Sequence, residues 1–389
     1  MKWNWELPDW PNFTWDEARL AVAEEQFLVA GGVLIGTLKH LGENDRNQLT
    51  VEAMSTEAVT TSEIEGEILD RASVQSSIQR QLGLAVDDRR VAPREQGTAE
   101  MMVDLYRTFS APLSEEMIFG WHRMLMSGRQ DVKNVGCYRT SDEAMQVVSG
   151  VIGSPKVHFE APPSAQVPRE MAGFIDWFKR TAPGGTEPLP ALTRAGTAHL
   201  YFGSVHPFED GNGRVGRAIA EKSLAQSLGQ PTLIVLAATI LARRASYYHA
   251  LEAASRQNEI TNWLAWFGGV TIEAQRRTLA LIEFLIEKAR LFDRLKGQLN
   301  DRQQETLLRM FKEGPDGFKG GLSAGKYSTI TGASPATATR DLVDLTEKGA
   351  LVRTGELRHA RYNLSVPLKL VTRVTVSEDG QLEEGWDGS

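Results

Sequence analysis

A single cysteine, Cys137, stands in 389 residues, so no intramolecular disulfide can form and no CxxC pair is present to hold zinc. No apolar run approaches the roughly 18 residues that span a bilayer. The opening MKWNWELPDWPNF lacks the apolar stretch and small-residue cleavage site of a signal peptide, so the expected compartment is the cytoplasm. Excess positive charge is missing too. The net charge of −7 excludes general affinity for phosphate backbones and confines any nucleic-acid contact to a local patch. There is no internal repeat and no low-complexity block. What remains is an ordinary globular composition on a chain long enough for two or three domains.

Trp3, Trp5, Trp10 and Trp15 crowd the first fifteen residues. So many large aromatics need something to pack against, and they read as anchors of an N-terminal latch or a dimer contact. Helical periodicity runs from Asp16 to about Leu41 and from about Asn44 to Leu69. The polar stretch AVDDRRVAPREQG, Ala85 to Gly97, reads as a linker. Further helical patterns cover Met101–Phe109, Glu115–Met126, Pro168–Lys179, Leu192–Val205, Arg214–Leu228, Ala238–Ser255 and Asn262–Leu299. Between Gln146 and Phe159, β-branched residues flank a Gly-Ser-Pro turn and predict a hairpin. Beyond Asn300 come three short helices and two strands turning near Gly355, the order of a winged helix. The tail from Glu378 to Ser389 is acidic and reads as unstructured.

The densest chemistry lies in HPFEDGNGRVGR, His206 to Arg217. A solvated loop has no need of a histidine and two spaced arginines around three glycines. A dinucleotide fold is the second reading, because Gly211, Gly213 and Gly216 spell GxGxxG; the segment ahead, however, has helical rather than strand spacing, and no acid follows about twenty residues on. The third reading is a triphosphate site. Gly211 and Gly213 let backbone N–H groups turn inward as an anion nest, at the positive end of the helix that begins there. Arg214 and Arg217 share one helix face and can clamp successive phosphates. Asp210 is the hard oxygen ligand that Mg²⁺ takes. His206 can accept the proton of an attacking hydroxyl, a role worth about 10²–10⁴-fold in rate.

These twelve residues resemble the signature of the Fic family, H-x-F-x-[DE]-G-N-G-R-x-x-R, at every fixed position, with supporting similarity from about Glu115 to Leu251 in WHRMLMSG, GCYR, FEAPPSAQVPREM and RRASYYHALEAAS. The resemblance implies a mainly α fold: a helical Fic core with a small β-hairpin flap, preceded by a helical N-terminal region and followed by a winged-helix domain. The expected divisions are residues 1–98, 99–299, 300–366 and a tail, 367–389. It implies an enzyme that moves AMP from ATP to a Ser, Thr or Tyr hydroxyl of a target protein or of itself. By the same resemblance His206 is the general base, Asp210 holds Mg²⁺, Asn212 contacts the α-phosphate, Arg214 the phosphate chain and Arg217 the γ-phosphate, Phe208 packs beneath the loop, and the hairpin presents an edge to the target. Tyr248 is assigned to the adenosine pocket.

VTTSEIEGEIL raises a separate question, because alternating steps of three and four along its helix put Glu65 on the apolar face. An ionised glutamate there demands a cation. Gly66 inside the helix suggests a neighbour too close for a side chain. The run Thr61 to Gly66 matches the family's inhibitory motif, [ST]-x-x-x-E-[GN], which implies that Glu65 pairs with Arg217 and masks the γ-phosphate clamp. In some relatives the equivalent glutamate orients a water that removes AMP.

A rival reading makes the winged helix the working part of a DNA-binding regulator. From Lys319 to Leu364 seven basic residues stand against four acids, and Asp341 and Asp344 fall on the recognition helix, where phosphates would repel them. A protein-docking or homodimer-forming role fits that modest charge at least as well.

Overall fold

Asp16, Asp70 and Ser114 each turn a side-chain oxygen onto free N–H groups of the residues that follow, and these caps set where three helices begin. The computed structural model describes residues 2–85, 90–149, 156–312, 318, 320–367 and 371–385. In chain order the helices are α1 (Glu17–His40), α2 (Glu43–Ile64), α3 (Arg71–Gln81), α4 (Pro93–Thr108) and α5 (Glu115–Leu125), followed by the strands β1 (Gln146–Ser149) and β2 (Lys156–Glu160). Then come α6 (Val167–Arg180), α7 (Ala191–Val205), α8 (Asn212–Leu228), α9 (Leu236–Ala242), α10 (Arg244–Ala254) and α11 (Thr261–Arg294). The chain ends with α12 (Asp301–Lys312), α13 (Ala324–Thr331), α14 (Pro335–Glu347), β3 (Leu351–Thr354), β4 (Arg361–Leu364), β5 (Arg373–Val376) and β6 (Leu382–Gly385). The fold is mainly helical with a small hairpin flap, as expected.

Residues 1–276 and 372–389 form one compact unit. At its centre is α7, every residue of which except Gly203 is buried, so it carries apolar groups all round. The apolar faces of α2, α4, α5, α6 and α8 close one core around it, and those of α1, α9, α10 and α11 contribute to a second. The flap pairs β1 with β2 antiparallel, Gln146 opposite Glu160 and Ser149 opposite Lys156; the Gly-Ser-Pro turn lies outside the described residues. Two of the N-terminal tryptophans pack on this flap: Trp3 meets Phe159 edge-on at 5.3 Å, and the Trp5 indole N–H donates to the Glu160 carbonyl at 2.7 Å; Trp10 packs instead on Phe13 and Tyr201.

Several expectations change. The boundary placed near residue 98 falls inside α4, whose first residue is Pro93, a position where the missing N–H costs nothing. The polar helix α3 carries too little apolar periodicity to be read from sequence. Residues 373–385 are no loose tail: Arg373, Thr375 and their neighbours pair with 382–385 across an SEDG turn, and Val374 is fully buried; the rest of the expected tail, 386–389, lies outside the described residues. Helix α1, although it contains four charged residues within its first nine, is long and apolar enough overall to cross a membrane by length and composition. One stripe of it, including Leu20, Phe27 and Leu34, is buried, and its Glu24 accepts the first N–H groups of α7 from Leu192 and Thr193 at 2.9 and 2.7 Å.

Helices α4 and α5 approach closely at Gly97, where a Cβ would stand 1.9 Å from the carbonyl oxygen of Met124. Backbone cannot swing aside, so Gly97→Ala is expected to cost about 1–3 kcal/mol, at the upper end of the overpacking range. Gly32→Ala in α1, with nothing within 4 Å, should instead stabilise by up to about 1 kcal/mol. Thermal denaturation of the two variants should move in opposite directions.

The second unit is Arg277–Val371, so the division expected at 299/300 falls earlier, within α11. Leu307, Tyr327, Leu342, Leu345 and Leu351 form its core, and β3 pairs with β4 antiparallel. Asp341 does not project from α14 as expected. It is buried, accepts from Tyr327 Oη and Arg302 Nε at 2.9 Å each, and ties three helices together. The exposed face of α14, with Thr339, Arg340, Val343 and Glu347, is close to neutral.

Candidate active site

The turn between α7 and α8 is held from inside. His206 ends α7 in the left-handed conformation, φ 49°, which among the described residues only one other non-glycine residue adopts. A side chain pays for that conformation in strain, which persists only where surroundings enforce it. Here Arg139 enforces it, donating through Nε to the His206 carbonyl at 2.8 Å and through Nη2 to the Pro162 carbonyl at 2.5 Å. Phe208 is fully buried and stacks on His122 with ring centroids 4.0 Å apart. The Asn212 amide closes the loop at both ends, accepting from Phe208 N at 2.9 Å and donating to Phe208 O at 2.8 Å. Gly211, φ 84°, makes the last bend before the first turn of α8.

His206 Nδ1 lies 3.3 Å from the Gly203 carbonyl. A carbonyl only accepts, so Nδ1 carries the proton and Nε2 keeps a lone pair. Burial lowers the imidazole pKa to about 4, so the ring is neutral and basic at Nε2 throughout the physiological range. It opens on a cavity of about 650 Å³ that also takes in Phe159 of the flap, Gly213, Tyr248 and Leu251. Tyr248 donates its hydroxyl to the Ile64 carbonyl at 3.1 Å.

Arg217 lies one turn into α8, buried, and α2 meets it there. Its Nε donates to Thr61 Oγ1 at 2.7 Å, and its Nη2 to the Thr61 carbonyl and to Glu65 Oε1, both at 2.8 Å. Burial disfavours the charged guanidinium, but Glu65, together with Tyr247, outweighs it and the pKa is raised. Glu65 is the residue at the end of α2 rather than one inside it, which frees its carboxylate to reach the N-terminus of α8. A Cβ on Gly213 would stand 2.1 Å from Glu65 Oε1, so that carboxylate sits on the anion nest itself. Gly66 therefore has a different reason from the one expected. It stands just past the helix end at φ 85°, with nothing within 4 Å of where a Cβ would be, and supplies the left-handed residue that stops α2.

Asp210 and Arg214 line a second cavity, about 610 Å³. Arg214 is 1 % exposed and Asp210 38 %; the pair stand 3.4 Å apart. Two residues absent from the sequence reading complete this side. Glu67 accepts from Arg214 Nη1 at 2.5 Å and from Arg129 Nη1 at 2.8 Å, and Arg129 Nη2 reaches Asp210 Oδ2 at 3.0 Å. Arg129 directly follows WHRMLMSG, but nothing local in sequence points it at Glu67.

A polyphosphate suits these residues, since the buried Arg214 Nε and Arg217 Nη1 have no hydrogen-bond partner among the described residues and such donors favour an anion's oxygens. For Mg²⁺ the fit is through Asp210. Such an ion takes one or two carboxylates and draws its other oxygens from phosphates and water.

Comparison with known proteins matches residues 112–224 to the Fic/DOC family and residues 3–84 to a domain of unknown function, DUF4172. A probable protein adenylyltransferase of Aquifex aeolicus is 29 % identical over 122 residues, covering 31 % of this chain and 33 % of that protein. The protein adenylyltransferase fic-1 of Caenorhabditis briggsae is 31 % identical over 120 residues, covering 30 % of this chain and 22 % of that protein. The chain thus spans a third or less of the length of these curated relatives. A crystal structure of a Fic family protein from Desulfovibrio desulfuricans covers 91 % of this chain and 98 % of its own, with TM-score 0.52 and 23 % identity, a likeness of fold. Residues 112–224, whose C-terminal end carries the loop His206–Arg217, match the Fic/DOC family.

Proposed function

We propose that this protein is an adenylyltransferase that moves AMP from ATP to a Ser, Thr or Tyr hydroxyl of a protein, and that its own α2 restrains it. The observation that carries the reading is a neutral His206 that lines a cavity of about 650 Å³ and keeps its lone pair on Nε2, beside a nest and two buried arginines suited to phosphates. In the reaction the hydroxyl oxygen attacks the α-phosphorus, the bond from that phosphorus to the pyrophosphate oxygen breaks, and His206 Nε2 takes the hydroxyl proton. Asp210 is the residue that would hold magnesium, which when bound would supply charge neutralisation on the phosphates. Arg214 and Arg217 orient the leaving pyrophosphate, the hydrogen-bonded Asn212 keeps the loop rigid beneath the α-phosphate, and Tyr248 stands where the nucleoside would lie. The flap offers the edge of β1 to an extended target segment. A second copy of the chain is the partner we assign to the exposed Leu28, Val29 and Val33 of α1; sedimentation showing only monomer at micromolar concentration would remove that assignment.

The direct test incubates the full chain with ATP labelled at the α- or the γ-phosphate. Label from the α position should stay with protein and label from the γ position should not; the opposite pattern makes the chain a kinase.

Because Glu65 lines the same cavity as His206, a second reading has it orient a water that removes AMP from modified protein. Wild type and Glu65→Gly incubated with pre-modified target separate the two: release by wild type alone supports removal.

A further inference from the structure

Two residues beyond Glu65, past the bend at Gly66, Glu67 turns a second carboxylate into the machinery. Its two oxygens bridge two guanidinium groups, Arg214 at 2.5 Å and Arg129 at 2.8 Å. Arg129 is also held by Asp131, through Nε at 2.7 Å and Nη2 at 2.6 Å, and by Asp210 at 3.0 Å. All of these groups border the cavity of about 610 Å³, together with Arg94 and Glu65. That volume is room for a polyphosphate rather than for water alone.

An acid shared by two arginines reproduces what a phosphate does between the same groups, since guanidinium forks take carboxylate and phosphate oxygens in like geometry. The charge balance points the same way. With Glu65 and Glu67 in place the cavity is bordered by four carboxylates and three guanidiniums, a balance that repels an anion; with both withdrawn it reverses. Arg214 Nε, buried and without a partner among the described residues, remains a donor that Glu67 does not satisfy.

We propose that Arg129 is a polyphosphate-binding residue of this site and that Glu67 is its built-in competitor. The chain then closes its nucleotide site with two carboxylates on one turn, Glu65 on Arg217 and Glu67 on Arg214 and Arg129. This rests on the nucleotide reading of the site but not on AMP transfer. Because Glu65, Gly66 and Glu67 leave the end of α2 together, a shift of that bend withdraws both acids at once.

The test is calorimetric, on the full chain, with ATP, AMP and inorganic tripolyphosphate as probes. In a Glu65→Gly background, Glu67→Gln should tighten ATP and tripolyphosphate about tenfold, the worth of one charge-assisted contact, and leave AMP within about twofold. Adding Arg129→Ala should reverse that gain. Should the alanine variant melt before it can be measured, Arg129→Lys keeps the charge, loses the fork and should reverse it in part. Unchanged ATP and tripolyphosphate affinity in Glu67→Gln, or an Arg129 variant that weakens AMP as much as ATP, overturns the proposal. If these affinities move as stated but no AMP is transferred, the transferase reading fails and this one stands. If AMP is transferred and neither substitution alters polyphosphate affinity, the reverse holds.

Discussion

Glu65→Gly is expected to raise the initial rate of AMP incorporation about 10- to 100-fold. The estimate follows from what the carboxylate holds. Glu65 Oε1 takes Arg217 Nη2 at 2.8 Å in a site where the arginine is 2 % exposed, and a charge-assisted bond of this kind contributes roughly 1.5–3 kcal/mol. About 1.4 kcal/mol is a tenfold change in an equilibrium, so loss of the bond frees the guanidinium by one to two orders of magnitude. The same substitution empties the position against Gly213, where a phosphate oxygen would meet the first N–H groups of α8. Glycine also fits the end of a helix, so α2 should persist and the melting temperature should change little. The measurement is incorporation from ATP labelled at the α-phosphate, into the chain itself or a casein-like acceptor. Equal rates in a variant that melts like wild type would show that the contact does not restrain the reaction.

How much of this was legible beforehand depended on how far apart the interacting residues lie in the chain. The loop His206–Arg217 could be read because it is built from its own residues: Asn212 bonds Phe208 four positions back, and His206 bonds Gly203 three positions back. Arg217 and Glu65 are 152 residues apart, and only the motif around Glu65 connected them. Its local geometry was misread, because helical periodicity does not mark the residue at which a helix stops, and Gly66 looked like a packing glycine rather than a left-handed terminator. Glu67 and Arg214 are 147 residues apart and carry no motif, so nothing in sequence joined them. The same limit explains Asp341. Its place on α14 was plain, but its burial depends on Tyr327 and Arg302 from two other helices.

His206→Ala, made in the Glu65→Gly background so that there is activity to lose, is expected to reduce AMP transfer about 10²–10⁴-fold while ATP affinity stays within a few-fold. The separation follows from the geometry: the nest and both arginines belong to the N-terminal part of α8, whereas His206 ends α7 and keeps its lone pair on Nε2. The pH profile supplies an independent readout. Burial lowers the His206 pKa to about 4, so the basic form is nearly complete above about pH 5; the rate should be flat from pH 8 down to about pH 5 and fall below that as the ring protonates. An imidazole with its ordinary pKa near 6.5 would halve the rate about two and a half units higher. Acid also bears on the fold. His122 and His199 are likewise held near 4 by burial, so the unfolded chain takes up their protons first as pH falls below about 6.5, and stability should decline from there toward pH 4. Circular dichroism at each pH therefore accompanies the rates, and only points where the chain is folded enter the profile. A His206→Ala variant that transfers AMP at the rate of its parent, or a rate that is halved near pH 6.5 while the chain remains folded, would leave the proton of the attacking hydroxyl to some other group.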